Sequence, residues 1–218
     1  VNNNFIIANV REPLRDSRLE TVPFFSSPLD ARLEMEMLCV CVPDGASQGF
    51  DTDDGSSWYD IRDNFFFLAD GWKMDYGGHD SRFTNNVVYH GTNDGQNCVN
   101  TWPFLPGHGA VWEGNKCIIP RSRNGGEISL AGSISGCDCP GKGPAVPWNA
   151  SDLDSRPSTE CGVSFGNNEY FTPNGSATFN KCGDFDTVWK SKNEPDSNIS
   201  SLPSDDDLLG WAREKLDM

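Results

Sequence analysis

An all-β parallel β-helix is the fold this sequence predicts, and three observations predict it. An Asn followed by a short apolar or aromatic strand recurs, as Asn4-Phe-Ile-Ile, Asn64-Phe-Phe-Phe, Asn86-Val-Val-Tyr, Asn115-Lys-Cys-Ile-Ile and Asn168-Glu-Tyr-Phe. Intervals in the twenties, 22 residues from 64 to 86 and 29 from 86 to 115, suit one coil of a solenoid whose coils bury apolar side chains only by stacking. Runs such as Phe65-Phe66-Phe67 lack alternation, as parallel strands covered on both faces do. The rival is an antiparallel sandwich, which calls for two-residue hairpin signals that are not obvious here.

The elements follow in chain order. The interval of 60 residues from Asn4 to Asn64 leaves room for a missed coil or an excursion, and that of 53 from Asn115 to Asn168 for two coils with one marker lost. At each corner the Asn is expected to take a left-handed backbone angle and to stack its side chain coil upon coil. Residues 10–40 break the rhythm and admit a short helix at Leu29 to Met37. Residues 121–160, rich in Gly, Ser, Pro and Cys, read as a long loop stapled by Cys137 and Cys139. Residues 191–203 read as a polar linker. The tail from 204 to 218 predicts a helix. Ser204 caps it, Asp205, Asp206 and Asp207 suit its positive end, and Arg213 and Lys215 its negative end. Such a helix is expected to cover an exposed end of the solenoid. The chain thus reads as one β-helical domain, 1–203, with insertions near 10–40 and 121–160, followed by the helical cap.

With 13 Phe and 7 Trp among 218 residues, the chain can bury a substantial core. A formal net charge of -15 argues against nucleic acid, whose phosphates would be repelled, and permits a neutral polysaccharide or oligosaccharide, cations, or a basic partner. No apolar run is long enough to span a bilayer. Eight cysteines, at 39, 41, 98, 117, 137, 139, 161 and 182, have no zinc-motif spacing. With the sequons at Asn149, Asn174 and Asn198 they predict a secreted, extracellular, disulfide-bonded glycoprotein. The chain opens on Val, and its first residues resemble the middle of a repeat, so upstream chain or an assembly partner is expected.

The stretch from Phe50 to Ser81 carries the chemistry. Asp51, Asp53 and Asp54 precede Gly55-Ser56-Ser57, and Tyr59, Ile61 and Asn64 follow. This segment resembles the Asp-Asp-Gly-Ser turn and Tyr-x-Ile-x-x-Asn strand of bacterial β-xylosidase-like β-helix glycosidases, with Lys73-Met-Asp75-Tyr76-Gly77 in place of their Lys-x-x-Glu-Gly. The resemblance covers about thirty residues well. It implies a right-handed β-helix, a nucleophile or base at Asp53 or Asp54, and an acid in the third segment. Tyr76 stands where that acid would be, so Asp75 is the replacement, one residue earlier. Asp53 and Asp75 are 22 residues apart, the Asn64–Asn86 interval. Acids on neighbouring parallel strands, about 4.8 Å apart, suit paired-carboxylate hydrolysis of a glycoside.

Around this pair, Asp51, Trp72, Lys73 and His79 are candidates for holding sugar. So are Asp94, Trp102 and His108, in loops one coil later. Other readings stay open. The three acids can simply bond their own turn, or bind calcium through oxygen. Trp102 and Phe104 can close the apolar column, with Cys98 bonded to Cys117. Beside hydrolysis stands a non-catalytic wall, sheath or adhesive role.

Overall fold

The computed structural model describes residues 5–7, 48–52, 56–75, 80–90, 97–102, 110–122, 126–132 and 163–216. The helix expected at Leu29 to Met37, the whole 10–40 insertion and most of the 121–160 one lie outside them.

Thirteen short strands are described. They are β1 (Phe5–Ile7), β2 (Gln48–Thr52), β3 (Asp60–Arg62), β4 (Phe65–Phe67), β5 (Asp70–Asp75), β6 (Arg82–Thr84), β7 (Val87–Tyr89), β8 (Val99–Trp102), β9 (Ala110–Glu113), β10 (Lys116–Ile118), β11 (Val163–Gly166), β12 (Glu169–Thr172) and β13 (Asn198–Ser201). Every pairing between them is parallel. Three sheets result, ordered β1-β4-β7-β10-β12-β13, β11-β9-β6-β3 and β2-β5-β8. The chain deals its strands to the three-, four- and six-stranded sheets in turn: β2, β3, β4, then β5, β6, β7, then β8, β9, β10.

The recurring Asn is what locks successive layers together. The backbone N–H of Asn64 donates to Asn86 Oδ1 (3.0 Å), that of Asn86 to Asn115 Oδ1 (2.9 Å), and that of Asn115 to Asn168 Oδ1 (3.0 Å). Each side-chain amide also donates to a main-chain carbonyl: Asn64 to Arg62, Asn86 to Ile61, Asn115 to Phe83 and Asn168 to Trp112. All four residues are fully buried, so this ladder supplies the partners that buried amides require. The left-handed angle sits one residue earlier than the sequence suggests. Asp63, Asn85, Gly114 and Asn167 have φ of 59°, 53°, 67° and 53°, and each directly precedes a ladder Asn. The ladder Asn itself is spent on hydrogen bonding.

Two spacing expectations are corrected or settled by register. Lys116 pairs directly with Glu169, so the 53-residue interval is one step carrying an insertion, not two steps with a lost marker. Phe5 pairs directly with Phe65, so the long interval before Asn64 is an excursion.

The apolar runs are covered on both faces. From four strands of the six-stranded sheet, the second residue, Phe66, Val88, Cys117 and Tyr170, joins the main core. There it meets Ile61, Phe83, Trp112 and Phe165 from the four-stranded sheet and Trp72, Met74 and Val99 from the three-stranded one. Rings stack through this core, Trp72 on Phe83 at 5.8 Å and Phe83 on Trp112 at 4.8 Å. Phe65, Val87 and Ile118 point the other way into a second cluster with Phe67, Tyr89 and Phe171, covered by Leu208, Trp211 and Ala212. These three belong to helix α2 (Asp205–Lys215), which Ser204 and Asp207 start with a reciprocal capping box. The C-terminal helix is where the sequence places it, yet its apolar contacts are with a sheet face rather than a sheet end.

Residues 191–203 are not a linker. They hold most of the one-turn helix α1 (Lys190–Asn193) and all of β13, with Asn193, Glu194 and Ser197 buried. Cys98 and Cys117 form the disulfide the sequence raised as one reading, with Cα atoms 5.9 Å apart. Cys182 is disulfide-bonded as well. Gly71 answers to close packing: a Cβ there would lie 1.6 Å from the carbonyl oxygen of Cys98. No helix among the described residues is long and apolar enough to cross a membrane.

Candidate functional site

The predicted acidic turn is bracketed by well-placed strands. Asp51 pairs with Lys73 and Thr52 with Met74 across β2 and β5, an offset of 22 residues. This is the interval by which the sequence relates Asp53 to Asp75. Alternation then sorts the side chains. Thr52 and Met74 are buried at 1% exposure each, while Asp51 and Lys73 lie on the outer face as an ion pair of 3.0 Å. Asp75 ends β5, opposite Trp102 in register. Asp75 and Trp102 are described in their backbone only. Asp53, Asp54, His79, Asp94, His108 and Asn149 lie outside the described residues.

Trp72 is a correction. It is 1% exposed, stacks on Phe83, and donates its indole N–H to Thr52 Oγ1 at 3.2 Å. A ring with no accessible face cannot serve as a sugar platform. The alternation that sends Lys73 outward sends Trp72 into the core.

The exposed aromatics are elsewhere. Trp58 is 74% exposed and Tyr59 44%. They follow the acidic turn and lead into β3. Trp58 has φ 68°, a conformation that bulky residues rarely adopt and that costs about 1–2 kcal/mol. Tyr59 is fixed at its backbone, donating its N–H to Ser81 Oγ (3.2 Å) and accepting from the N–H of Arg82 (2.7 Å). Its ring meets Phe50 edge-on at 5.9 Å, and Phe50 adjoins Asp51. Phe50 and Asp51, the latter paired with Lys73, thus precede the acidic turn in the chain, and Trp58 and Tyr59 follow it, with the Asp60–Arg62 ion pair (3.5 Å) next. Sequence reasoning missed Trp58; its one signal was its place between the Ser-Ser turn and Tyr59.

Two buried polar clusters were also missed. Glu194 accepts from Trp189 Nε1 (2.7 Å), Asn168 Nδ2 (3.1 Å) and the Tyr170 hydroxyl (3.2 Å). Burial raises its pKa against the lowering effect of these bonds and one from Ser197. Tyr170 is pushed well above its ordinary range, first by burial and then by the Glu194 charge. This cluster closes the Asn ladder, since Ser197 Oγ accepts the N–H of Asn168 at 2.8 Å.

The other cluster joins Asp70, His90, Cys98 and Cys117. His90 Nδ1 is 3.0 Å from Asp70 Oδ1, and Nε2 is 3.3 Å from Cys117 Sγ. Among the described residues, one imidazole nitrogen of His90 and the sulfurs of Cys98 and Cys117 lie within 4.8 Å of one another, a donor set of metal-ligand type whose two sulfurs are joined in the disulfide. The spacing of these residues along the chain gives no hint of it. The sequon residues Asn174 and Asn198 are exposed, and Asn198 Oδ1 accepts from Lys190 Nζ at 3.1 Å. Compared with known proteins, the chain matches no family model, no curated protein and no solved structure.

Proposed function

We propose that the three parallel sheets are the faces of a right-handed parallel β-helix, and that the chain is a secreted, carbohydrate-active protein. Supporting the solenoid are the cyclic dealing of strands to three sheets and the one-per-layer Asn ladder. Right-handed crossover is the rule for parallel strands. The site is the face around the acidic turn, and a neutral polysaccharide or oligosaccharide lies along it.

The observation that carries this reading is Trp58: an indole 74% exposed on a backbone held at φ 68°, next to Tyr59 and just after the acidic turn in the chain. Ligand platforms hold such rings. Hydrolysis would use Asp53 or Asp54, which follow β2 in the chain, with Asp75 at the end of β5; the 22-residue register of Asp51 on Lys73 and Thr52 on Met74 supports the pairing. Calcium in place of sugar chemistry is less favoured, because Asp51, one of its three carboxylates, is paired with Lys73.

A second reading, a non-catalytic wall, sheath or adhesive component, is favoured by Tyr76 at the acid position of the resembling segment. The test is a panel of neutral polysaccharides in affinity electrophoresis, followed by reducing-end release. Trp58→Ala is expected to lose at least about tenfold in sugar affinity, given the 0.5–1.5 kcal/mol of an aromatic contact plus its buried area. Its stability should stay within about 0.5 kcal/mol of the parent. Asp53→Asn and Asp75→Asn should abolish turnover and keep binding. Binding without turnover in the parent selects the non-catalytic reading, and absence of any glycan binding defeats both.

A further inference from the structure

The Asp70–His90–Cys98–Cys117 cluster lies within the core, separate from the Trp58 face. One imidazole nitrogen and two sulfurs lie within 4.8 Å of one another. His90, Cys98 and Cys117 are 1%, 0% and 0% exposed. Three stretches of backbone hold them. Cys117 is the central residue of β10, in register with Val88. His90 follows β7, and its N–H donates to the carbonyl of Ile118 at 2.9 Å. The N–H of Cys98 donates to the carbonyl of Leu130 at 2.8 Å. Asp70, 4% exposed, faces His90 Nδ1. A carboxylate can only accept, so Nδ1 carries a hydrogen, and a neutral ring then turns the lone pair of Nε2 toward Cys117.

We propose that reduction of the Cys98–Cys117 disulfide converts this cluster into a binding site for a thiolate-preferring divalent cation, zinc above all. The reductant comes from outside, for instance a phosphine. It gives two electrons to the S–S bond, takes its oxide oxygen from water, and leaves the two water hydrogens on the sulfurs as two thiols. Each thiol releases its proton to solvent when it ligates the metal. Two thiolates then offset the charge of Zn²⁺, and a neutral His adds none, which suits a site without solvent.

The geometry fits. Tetrahedral zinc with bonds of about 2.0–2.3 Å needs donor atoms roughly 3.3–3.8 Å apart; the imidazole and the sulfurs already lie within 4.8 Å of one another, and the two sulfurs must swing apart once the bond between them is reduced. Asp70 supplies the carboxylate that orients a metal-bound His through its other nitrogen.

The full chain, reduced with tris(2-carboxyethyl)phosphine without oxygen, is titrated with Zn²⁺ against a chromophoric chelator and, separately, with Co²⁺. His90→Gln keeps all eight cysteines, so it reports this cluster alone. The parent is expected to bind one more equivalent of metal per chain than His90→Gln. Its Co²⁺ form should show the thiolate charge-transfer and strong visible bands of tetrahedral cobalt, which the variant lacks. Asp70→Asn should keep the stoichiometry and weaken affinity about 10–100-fold. Before reduction, the parent and His90→Gln should take up equal metal. Equal uptake by the two reduced proteins overturns the proposal. So does a reduced parent that loses its near-ultraviolet circular dichroism and does not regain it with zinc.

Discussion

Replacing Asn86 by Ala should remove a large share of the stability of this chain, and the structure sets the size. Asn86 Oδ1 accepts from the backbone N–H of Asn64 at 3.0 Å and from its side-chain amide at 2.9 Å. Asn86 Nδ2 donates to the carbonyl of Ile61 at 2.9 Å. After truncation the Asn64 amide keeps its bond to Arg62, but the Asn64 N–H and the Ile61 carbonyl each lose a partner where water does not reach. A buried polar group left unsatisfied costs about 1–3 kcal/mol. Two such groups give a loss of about 2–6 kcal/mol, against the roughly 5–15 kcal/mol of a typical domain's stability. Urea unfolding followed by the fluorescence of the buried Trp72, Trp112 and Trp189 would read this. With a slope of about 2–3 kcal/mol per molar urea, the midpoint should fall by roughly 1–3 M. Asn174→Ala, on an exposed turn, is the control and should shift by less than about 0.5 kcal/mol. A loss below about 1 kcal/mol for Asn86→Ala would refute the ladder as a principal stabiliser. Additive losses on combining it with Asn115→Ala would refute its cooperativity, because directly bonded residues couple by about 0.5–3 kcal/mol.

Two further outcomes follow from other parts of the molecule. Burial raises the Glu194 pKa above its ordinary 4.5, so above pH 4.5 the folded chain holds this proton more tightly than the unfolded one. The group's contribution to stability is therefore fully present below that pH and is lost as pH rises through the folded pKa. The unfolding free energy of the parent minus that of Glu194→Gln should fall over this window in pH-resolved denaturant titrations; a difference that rises would overturn the assignment. Trp211→Ala removes the ring packed on Phe171 at 5.4 Å and under the Lys116 ammonium at 4.9 Å. It should cost about 2–4 kcal/mol, and uncovering Phe65, Val87 and Ile118 should increase binding of a hydrophobic dye; unchanged dye binding would show that α2 stays docked without it.

Residues whose task is repeated once per layer were legible in the sequence. Asn64, Asn86, Asn115 and Asn168 stood out because each begins an apolar strand, and the structure stacks them. The Ser204 cap was legible because helix starts obey local rules. Substitution within a repeated role hid the next step. Ser197 performs the Asn task with a hydroxyl, and the adjoining Asn198-Ile-Ser reads as a sequon inside an apparent linker. Trp72 was misread because indole serves equally as core and as platform, and only its register beside Lys73 decides which. His90, Cys98 and Cys117 share no spacing rule. They meet because different strands pass the same depth of the core, which is tertiary information.

Ser197 also sets a rule for how many layers such a molecule can have. An Asn step is two-ended: it accepts from the layer before and donates its N–H to the layer after. Ser197 accepts from Asn168, but its own N–H returns to the carbonyl of Glu194 at 3.0 Å. Nothing is handed on. A duplicated segment inserted between Asn64 and Asn115 would meet a compatible partner at both junctions. One inserted beyond Ser197 would find the line already terminated. Added layers are therefore accommodated within the ladder rather than beyond Ser197, whose hydroxyl accepts while its N–H turns back to the Glu194 main-chain carbonyl.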